Sequence, residues 1–309
     1  MKIFVTGGAG FIGSHLVDRL MAQGNYVTVY DNLSSGKEDF IKQHFTSARF
    51  NFIKADLLDL DFLMKSMKGH DIVFHLAANP DARQGITNTK LDLEQNTLAT
   101  YNVLESMKKN GIKKIVFTSS GTVYGEAQNA PIKEDYGPLL PISLYGASKL
   151  ACEGLISAFS HLFDIQAWIF RLGNVIGPRA THGVIFDLLN KLRKDPTKLE
   201  VLGDGNQTKP YIYIDDCIDG MLFGVQYANA RIIVFNLAVP TVTSVKEIVK
   251  MILEKTGCEK VMVRYVGGER GWPGDVPKVQ LSTKKLEKLG WRAKYTSNEA
   301  VAKTIDSLL

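Results

Sequence analysis

The sequence predicts an α/β fold: a doubly wound parallel sheet with helices on both faces, followed by a smaller α/β lobe toward the C-terminus. Three observations predict it. From residue 1 to about 170, short β-rich apolar runs alternate with amphipathic helical runs, the order that builds a parallel sheet. A glycine-rich turn joins the first apolar run to the first helical pattern, and an acid ends the second run about 20 residues further on. At 309 residues the chain is too long for one small core and too short for three, so two unequal lobes are expected.

Each element follows from its own pattern. Ile3 to Thr6, Tyr26 to Tyr30, Ile72 to Leu76 and Ile115 to Thr118 are continuous apolar runs, as strands covered on both faces require. Between the first two, Ile12, Leu16, Val17 and Leu20 recur at helical spacing, and Gly24 ends the helix where a left-handed cap is easiest. Helices are predicted over roughly 91–109 and 145–163, the second carrying Ala151, Leu155, Phe159 and Leu162 along one stripe, and Gln166 to Arg171 supplies a further strand. Beyond it, Gly and Pro punctuate shorter elements: helices near 183–194, 244–256 and 282–289, and a strand near 199–202. Tyr211 to Ile214 and the amphipathic stretch from Asp215 are expected to return to the first lobe.

Composition narrows the class. Apolar residues make up 45% and charged residues 22% of the chain, which fits an ordinary globular protein rather than a disordered or fibrous one. The net charge of +5 is spread out; the densest basic stretch, Lys108, Lys109, Lys113 and Lys114, has no interleaved aromatics and reads as a solvated helix end, so no nucleic-acid partner is expected. Cys152, Cys217 and Cys258 are odd in number and far apart, as reduced thiols are in a cytoplasmic protein, and none has metal-ligand spacing. No signal-peptide core or membrane-length apolar run is present, so a membrane partner is not expected either.

The sharpest local signal is Thr6-Gly7-Gly8-Ala9-Gly10-Phe11-Ile12-Gly13. Gly7 permits the tight turn, Gly10 lets backbone amides approach a pyrophosphate, and Gly13 allows close helix packing behind a helix N-terminus that favours negative charge. Asp31 closes the second strand, where a carboxylate accepts hydrogen bonds from a ribose diol and repels a 2′-phosphate; no arginine stands beside it, so NAD is expected rather than NADP. This is a Rossmann-type dinucleotide site. Asp56 is either an adenine contact or an exposed loop aspartate.

Tyr145 and Lys149 lie four residues apart at the start of a helical pattern and therefore project from one face. A neighbouring ammonium and a positive nicotinamide both favour phenolate, so Tyr145 is a candidate base for a secondary alcohol. The strand ending at Thr118 delivers Ser119, Ser120, Gly121 and Thr122 to the edge where open α/β sheets bind ligands.

With these residues in place, the chain resembles the extended short-chain dehydrogenase/reductase family of NAD-dependent epimerases and dehydratases, and within it the archaeal-type members of its UDP-glucose 4-epimerase branch. The resemblance rests on TGGAGFIGSH from Thr6, DNLSSG from Asp31, HLAANPD from His75, SSGTVYG from Ser119, YGASK from Tyr145, RLGNVIGPR from Arg171 and GWPGDVP from Gly271. It implies Tyr145 and Lys149 as the catalytic pair, Ser120 on the reacting sugar oxygen and Thr122 as its helper. It also implies a cofactor lining of Gly7, Gly10, Phe11, Ile12, Gly13, Asp31, Asn32, Asp56, Leu57, Leu76, Ala77, Ala78 and Asn96, shared with Tyr145 and Lys149. Asn174 is implied on the substrate diphosphate. The implied division is 1–172 for the NAD-binding lobe, with a return segment near 211–236, and 173–309 for the nucleotide-sugar lobe. A homodimer through the helices near 91–109 and 145–163 is implied as well.

Relatives that eliminate water carry an Asp-Glu pair after the strand end, and decarboxylating relatives carry Glu where Thr122 stands; this chain has Ser120-Gly121-Thr122. What remains is oxidation and re-reduction at one carbon, C4 epimerisation of a UDP-hexose such as UDP-glucose or UDP-galactose. A 4-keto-sugar reductase, or an epimerase of a UDP-N-acetylhexosamine or UDP-glucuronate, stays open, and a non-enzymatic NAD sensor is a lesser alternative. The chain departs from the family at Lys209-Pro210 and Trp272-Pro273, where arginines are usual, so Lys209 and Arg270 are both candidates for the diphosphate. Arg179 and His182 are either phosphate contacts or structural.

Overall fold

A computed structural model describes residues 1–309. The first part of the chain runs β1 (Lys2–Thr6), α1 (Phe11–Ala22), β2 (Tyr26–Asp31), β3 (Phe50–Lys54), α2 (Leu60–Ser66), β4 (Ile72–His75), a π-helical turn (Leu93–Leu98) opening into α3 (Ala99–Asn110), β5 (Lys114–Ser120), α4 (Leu144–Phe163) and β6 (Gln166–Leu172). The rest runs β7 (Asn174–Ile176), α5 (Val184–Lys194), β8 (Lys198–Val201), β9 (Thr208–Lys209), β10 (Tyr211–Tyr213), α6 (Ile214–Tyr227), β11 (Ile232–Leu237), β12 (Thr243–Ser244), α7 (Val245–Thr256), β13 (Met262–Tyr265), α8 (Lys284–Leu289) and α9 (Ser297–Leu308).

Seven strands form one sheet in the order β11-β6-β5-β4-β1-β2-β3, every pairing parallel. Alternate side chains enter two separate cores, as the period of two demands. Ile3, Val5, Val116, Trp168 and Phe170 join a core of 43 buried residues on one face. Phe4, Ile115, Phe117, Ala167 and Ile169 join a core of 19 on the other, under α3 and α4. The larger core also takes in Leu188 of α5, Ile248 of α7 and Ile305 of α9, so the main sheet and the later elements share one apolar interior.

Two details refine the expected helix over 91–109 and the expected return of the chain after Tyr211. Tyr211–Tyr213 does not join the main sheet; it pairs with Asn174–Ile176 in a small sheet of its own, and the chain returns through α6 and then β11, which runs beside β6 from Ile232 opposite Ala167. The helical run near 91–109 contains a π-helical turn, Leu93–Leu98, in which Asn96 faces inward at 1% exposure.

Strand β1 has β2 on one side and β4 on the other. Successive connections therefore leave its carboxyl end in opposite directions, opening the crevice in which such sheets bind ligands.

Candidate active site

The crevice is lined from Asp31 and Asn32 at one end, past Leu76, Ala77 and Ala78, to Asn174 and Lys209 at the other. Its floor is the β1–α1 turn. Gly7 has φ +69°, and a Cβ there would stand 2.6 Å from the Ala77 amide nitrogen; one on Gly13 would stand 2.0 Å from the Gly7 carbonyl oxygen. Only glycine allows this approach. Gly10 caps α1 without any side-chain hydrogen bond, so the first-turn amides of Phe11 and Ile12, both lining the crevice, are left to a ligand. Asp31 clamps the turn: its carboxylate accepts from Ala9 N at 2.9 Å and Leu33 N at 2.8 Å. Burial pushes that carboxyl up, and the two amides hold it down. A backbone cradle too tight for any Cβ, an uncapped helix end and a carboxylate at the far lip fit NAD.

The second cluster stands where β5 meets α4. Ser143 starts α4 by accepting from Gly146 N at 3.1 Å, which places Tyr145 and Lys149 in the first turns with both lining the crevice. Lys149 is 2% exposed. Its ammonium donates to the Thr118 carbonyl at 2.8 Å and lies 5.8 Å from the centre of the Tyr145 ring. Burial lowers its pKa to about 8, against the opposing pull of Cys152, Asp92 and Glu153. Ser120 Oγ accepts from Thr122 N at 3.2 Å and from Thr122 Oγ1 at 3.0 Å. Thr122 therefore reaches Tyr145 through Ser120, whose own hydroxyl proton remains free to donate.

The expected acidification of Tyr145 by Lys149 is absent. Burial drives the phenol pKa upward, Asp92 adds to that, and the contact with the Ser120 hydroxyl opposes it. With Lys149 turned to the Thr118 carbonyl, Tyr145 is a neutral phenol in the free protein.

Most of the other expected residues line the crevice, including Leu57. Three do not. Asn96 lies beneath it, its amide donating to Asp92 Oδ1 at 3.1 Å and Ser148 Oγ at 2.8 Å. Asp56 turns away, accepting from Asn32 Nδ2 and Leu58 N, both at 2.9 Å. Arg270 is held by Glu126 and by the Asp275 carbonyl at 2.8 Å. Lys209 does line the crevice, paired with Asp275 at 2.7 Å. Arg179 pairs with Asp18 at 2.8 Å, whereas His182 faces the crevice, its pKa lowered by burial. Asn79, Gln95, Thr181 and Trp272 also line it; only the last stood out in the sequence, because loops bring Asn79 and Thr181 there and the π-helical turn brings Gln95.

A glycine-cradled switch-point crevice with a Ser-Tyr-Lys cluster on the neighbouring strand end defines a dinucleotide-dependent enzyme acting on a hydroxyl or carbonyl group. The chain belongs to the NAD dependent epimerase/dehydratase family, whose model matches residues 3–238; it is an enzyme that uses NAD, and an isomerase. A Methanocaldococcus jannaschii protein provisionally named UDP-glucose 4-epimerase is 34% identical over 98% of this chain and 97% of its own. A solved UDP-galactose 4-epimerase superposes with a TM-score of 0.90 at 39% identity, covering 100% of this chain and 98% of that one. The Bacillus cereus UDP-glucuronic acid 4-epimerase, solved with UDP-glucuronic acid and NAD, gives 0.90 at 29% identity over 100% of this chain and 99% of its own.

Proposed function

We propose that this enzyme interconverts the C4 epimers of a nucleotide sugar, with UDP-glucose and UDP-galactose as its substrates. The observation that carries the reading is the poverty of acids in the crevice wall beside Tyr145. The only carboxylates lining the crevice are Asp31, clamped at the glycine turn, and Asp275, paired with Lys209. Elimination of water needs a second acid-base pair beside the base, and none is there. Near Tyr145 the one lining cation is Lys149, bonded to the Thr118 carbonyl, and no free cation stands there for a uronate carboxylate, which favours a neutral sugar.

In this reading Ser120 donates to the sugar O4 and Tyr145 Oη takes its proton, then returns it after the sugar has turned over. Lys149 holds its charge beside the phenol, stabilising phenolate once the crevice is filled. Asn174 and Lys209 hold the diphosphate, so the sugar can swing about that linkage. NAD, when bound, supplies the hydride acceptor that becomes the donor of the return half. Leu93, Leu98 and Tyr101, exposed by 52%, 44% and 41%, give α3 and its π-helical turn an apolar outer face on which a homodimer would form.

The test is incubation with a panel of UDP-sugars without added cofactor, reading C4 epimers by NMR. UDP-glucose and UDP-galactose should interconvert, with NAD retained through gel filtration; turnover only with added NADH would replace the reading with a reductase. Tyr145→Phe should fall by about 10²–10⁴-fold while keeping its NAD.

A further inference from the structure

Beneath the Tyr145–Lys149 pair lies a buried carboxylate that the steps above do not use. Asp92 is 1% exposed. Its Oδ1 accepts from Asn79 Nδ2 at 3.0 Å and Asn96 Nδ2 at 3.1 Å, and its Oδ2 is buried without any hydrogen-bond partner. The pocket is shaped for it, since a Cβ on Gly85 would come within 2.9 Å of Oδ2. From Asn96 the contacts run on to the catalytic helix: Asn96 Nδ2 donates to Ser148 Oγ at 2.8 Å, and Ser148 Oγ donates to the Tyr145 carbonyl at 2.8 Å. Cys152, one turn along, donates to the Asn96 carbonyl at 3.4 Å.

A buried, half-satisfied carboxylate is costly unless a cation answers it, and Lys149 is a buried cation bonded only to a carbonyl. The other charged groups nearby are already matched. On α4, Glu153 is bound by both arms of Arg171 from β6, at 3.0 and 2.7 Å. Before the π-helical turn, Asp81 is held by Arg83 at 2.9 Å. From β4, His75 is fully buried and neutral, its pKa pressed to about 3. Cys152 is a thiol that burial pushes up, and Tyr145 a phenol. Burial pushes the Asp92 carboxyl up, while the Asn79 and Asn96 amides and the Lys149 charge pull it down, and of these acids it is the one with no bonded cation.

We propose that Asp92 is a positioning residue for the catalytic pair: it fixes the first turns of α4 through Asn96 and Ser148, and its charge is the resident counterion of the Lys149 ammonium. The proposal rests on the reading of Tyr145 and Lys149 as that pair, and its deciding readout, the Lys149 titration, needs no substrate, so a wrong substrate assignment leaves it decidable. Asp92→Asn keeps the shape and removes the charge. In the NAD-loaded protein with ε-¹³C-labelled lysine, the Lys149 pKa should fall by about one unit or more, and the alkaline limb of kcat/KM should move with it. Ser148→Ala cuts the link to the Tyr145 carbonyl but leaves the charge, so it should lower kcat several-fold with the Lys149 titration unchanged. A folded Asp92→Asn protein whose Lys149 titrates as in the wild type overturns the proposal. Should that variant not fold, carboxyl-¹³C aspartate in the wild type decides: an Asp92 ionised throughout pH 6–8 upholds it, and a neutral acid there overturns it.

Discussion

At the scale of single residues, the hydrogen bonds around His75 determine its protonation. Cys152 gives its thiol proton to the Asn96 carbonyl and accepts from Thr100 Oγ1 at 3.1 Å. With that proton committed, Thr100 Oγ1 must accept from His75 Nε2, 2.9 Å away, so Nε2 carries the hydrogen and Nδ1 accepts from Thr6 Oγ1 at 2.7 Å. Thr6 Oγ1 in turn accepts from the amide of Ala77, which lines the crevice. A neutral histidine thus props up the cofactor-facing strip. Its pKa is lowered to about 3 by burial, with Lys149 adding to the effect. A depressed histidine contributes stability that is complete above the unfolded value near 6.5 and is lost as pH falls toward 3, because the unfolded chain binds the proton first. The unfolding free energy from denaturant titrations between pH 7 and 4 should therefore fall by up to roughly 1.4 kcal/mol per pH unit from this group. His75→Gln should start lower at pH 7 and lack that share of the slope; parallel curves would show that another group carries it.

At the scale of elements, the β1–turn–α1 unit is where sequence and site coincide. Gly13→Ala pushes a methyl into the Gly7 carbonyl, 2.0 Å away, and the turn must open to relieve it. The purified variant should carry no NAD by absorbance and should gain little melting temperature on adding it, whereas the wild type should gain several degrees. This unit was legible because strand period, glycine spacing and Asp31 agree. Strand β3 was not: it is the sheet edge, its residues are half-buried or exposed, and Asn51 and Lys54 break the apolar run. Helix α9 carries its start signal in the sequence, Thr296 and Glu299 forming a capping box. At the site, Tyr145, Lys149 and Ser120 were legible because helix geometry and a strand end fix their relation. Asp92 was not, since a carboxylate within a helical pattern reads as solvated until packing buries it. Arg270 lies off the crevice wall because the loop's course carries its guanidinium to Glu126.

At the scale of the whole molecule, the crevice spans the main sheet and the later elements, and its two ends carry different charge. The Asp31 end presents amides and one clamped carboxylate; the Lys209 end presents a cation matched by Asp275, both side chains under 20% exposed, at 13% and 16%. Lys209 sits on β9, which pairs with β12, and Asp275 on the loop after β13, so the ion pair also ties that loop down. A diphosphate arriving there meets a neutral pair, and the sign of each substitution separates anion binding from loop anchoring. Lys209→Met leaves Asp275 without its counterion, held only by the Gly271 amide at 3.2 Å, a carboxylate facing an anion, so KM should rise by about 10–100-fold with NAD content unchanged, the cofactor turn lying at the other end. Asp275→Asn leaves the Lys209 cation uncompensated, so KM should fall or hold while its dependence on salt steepens. Steady-state kinetics of both variants over a range of ionic strength decide between the roles: opposite shifts in KM assign Lys209 to the substrate's phosphates, and equal increases from both assign the pair to holding the loop.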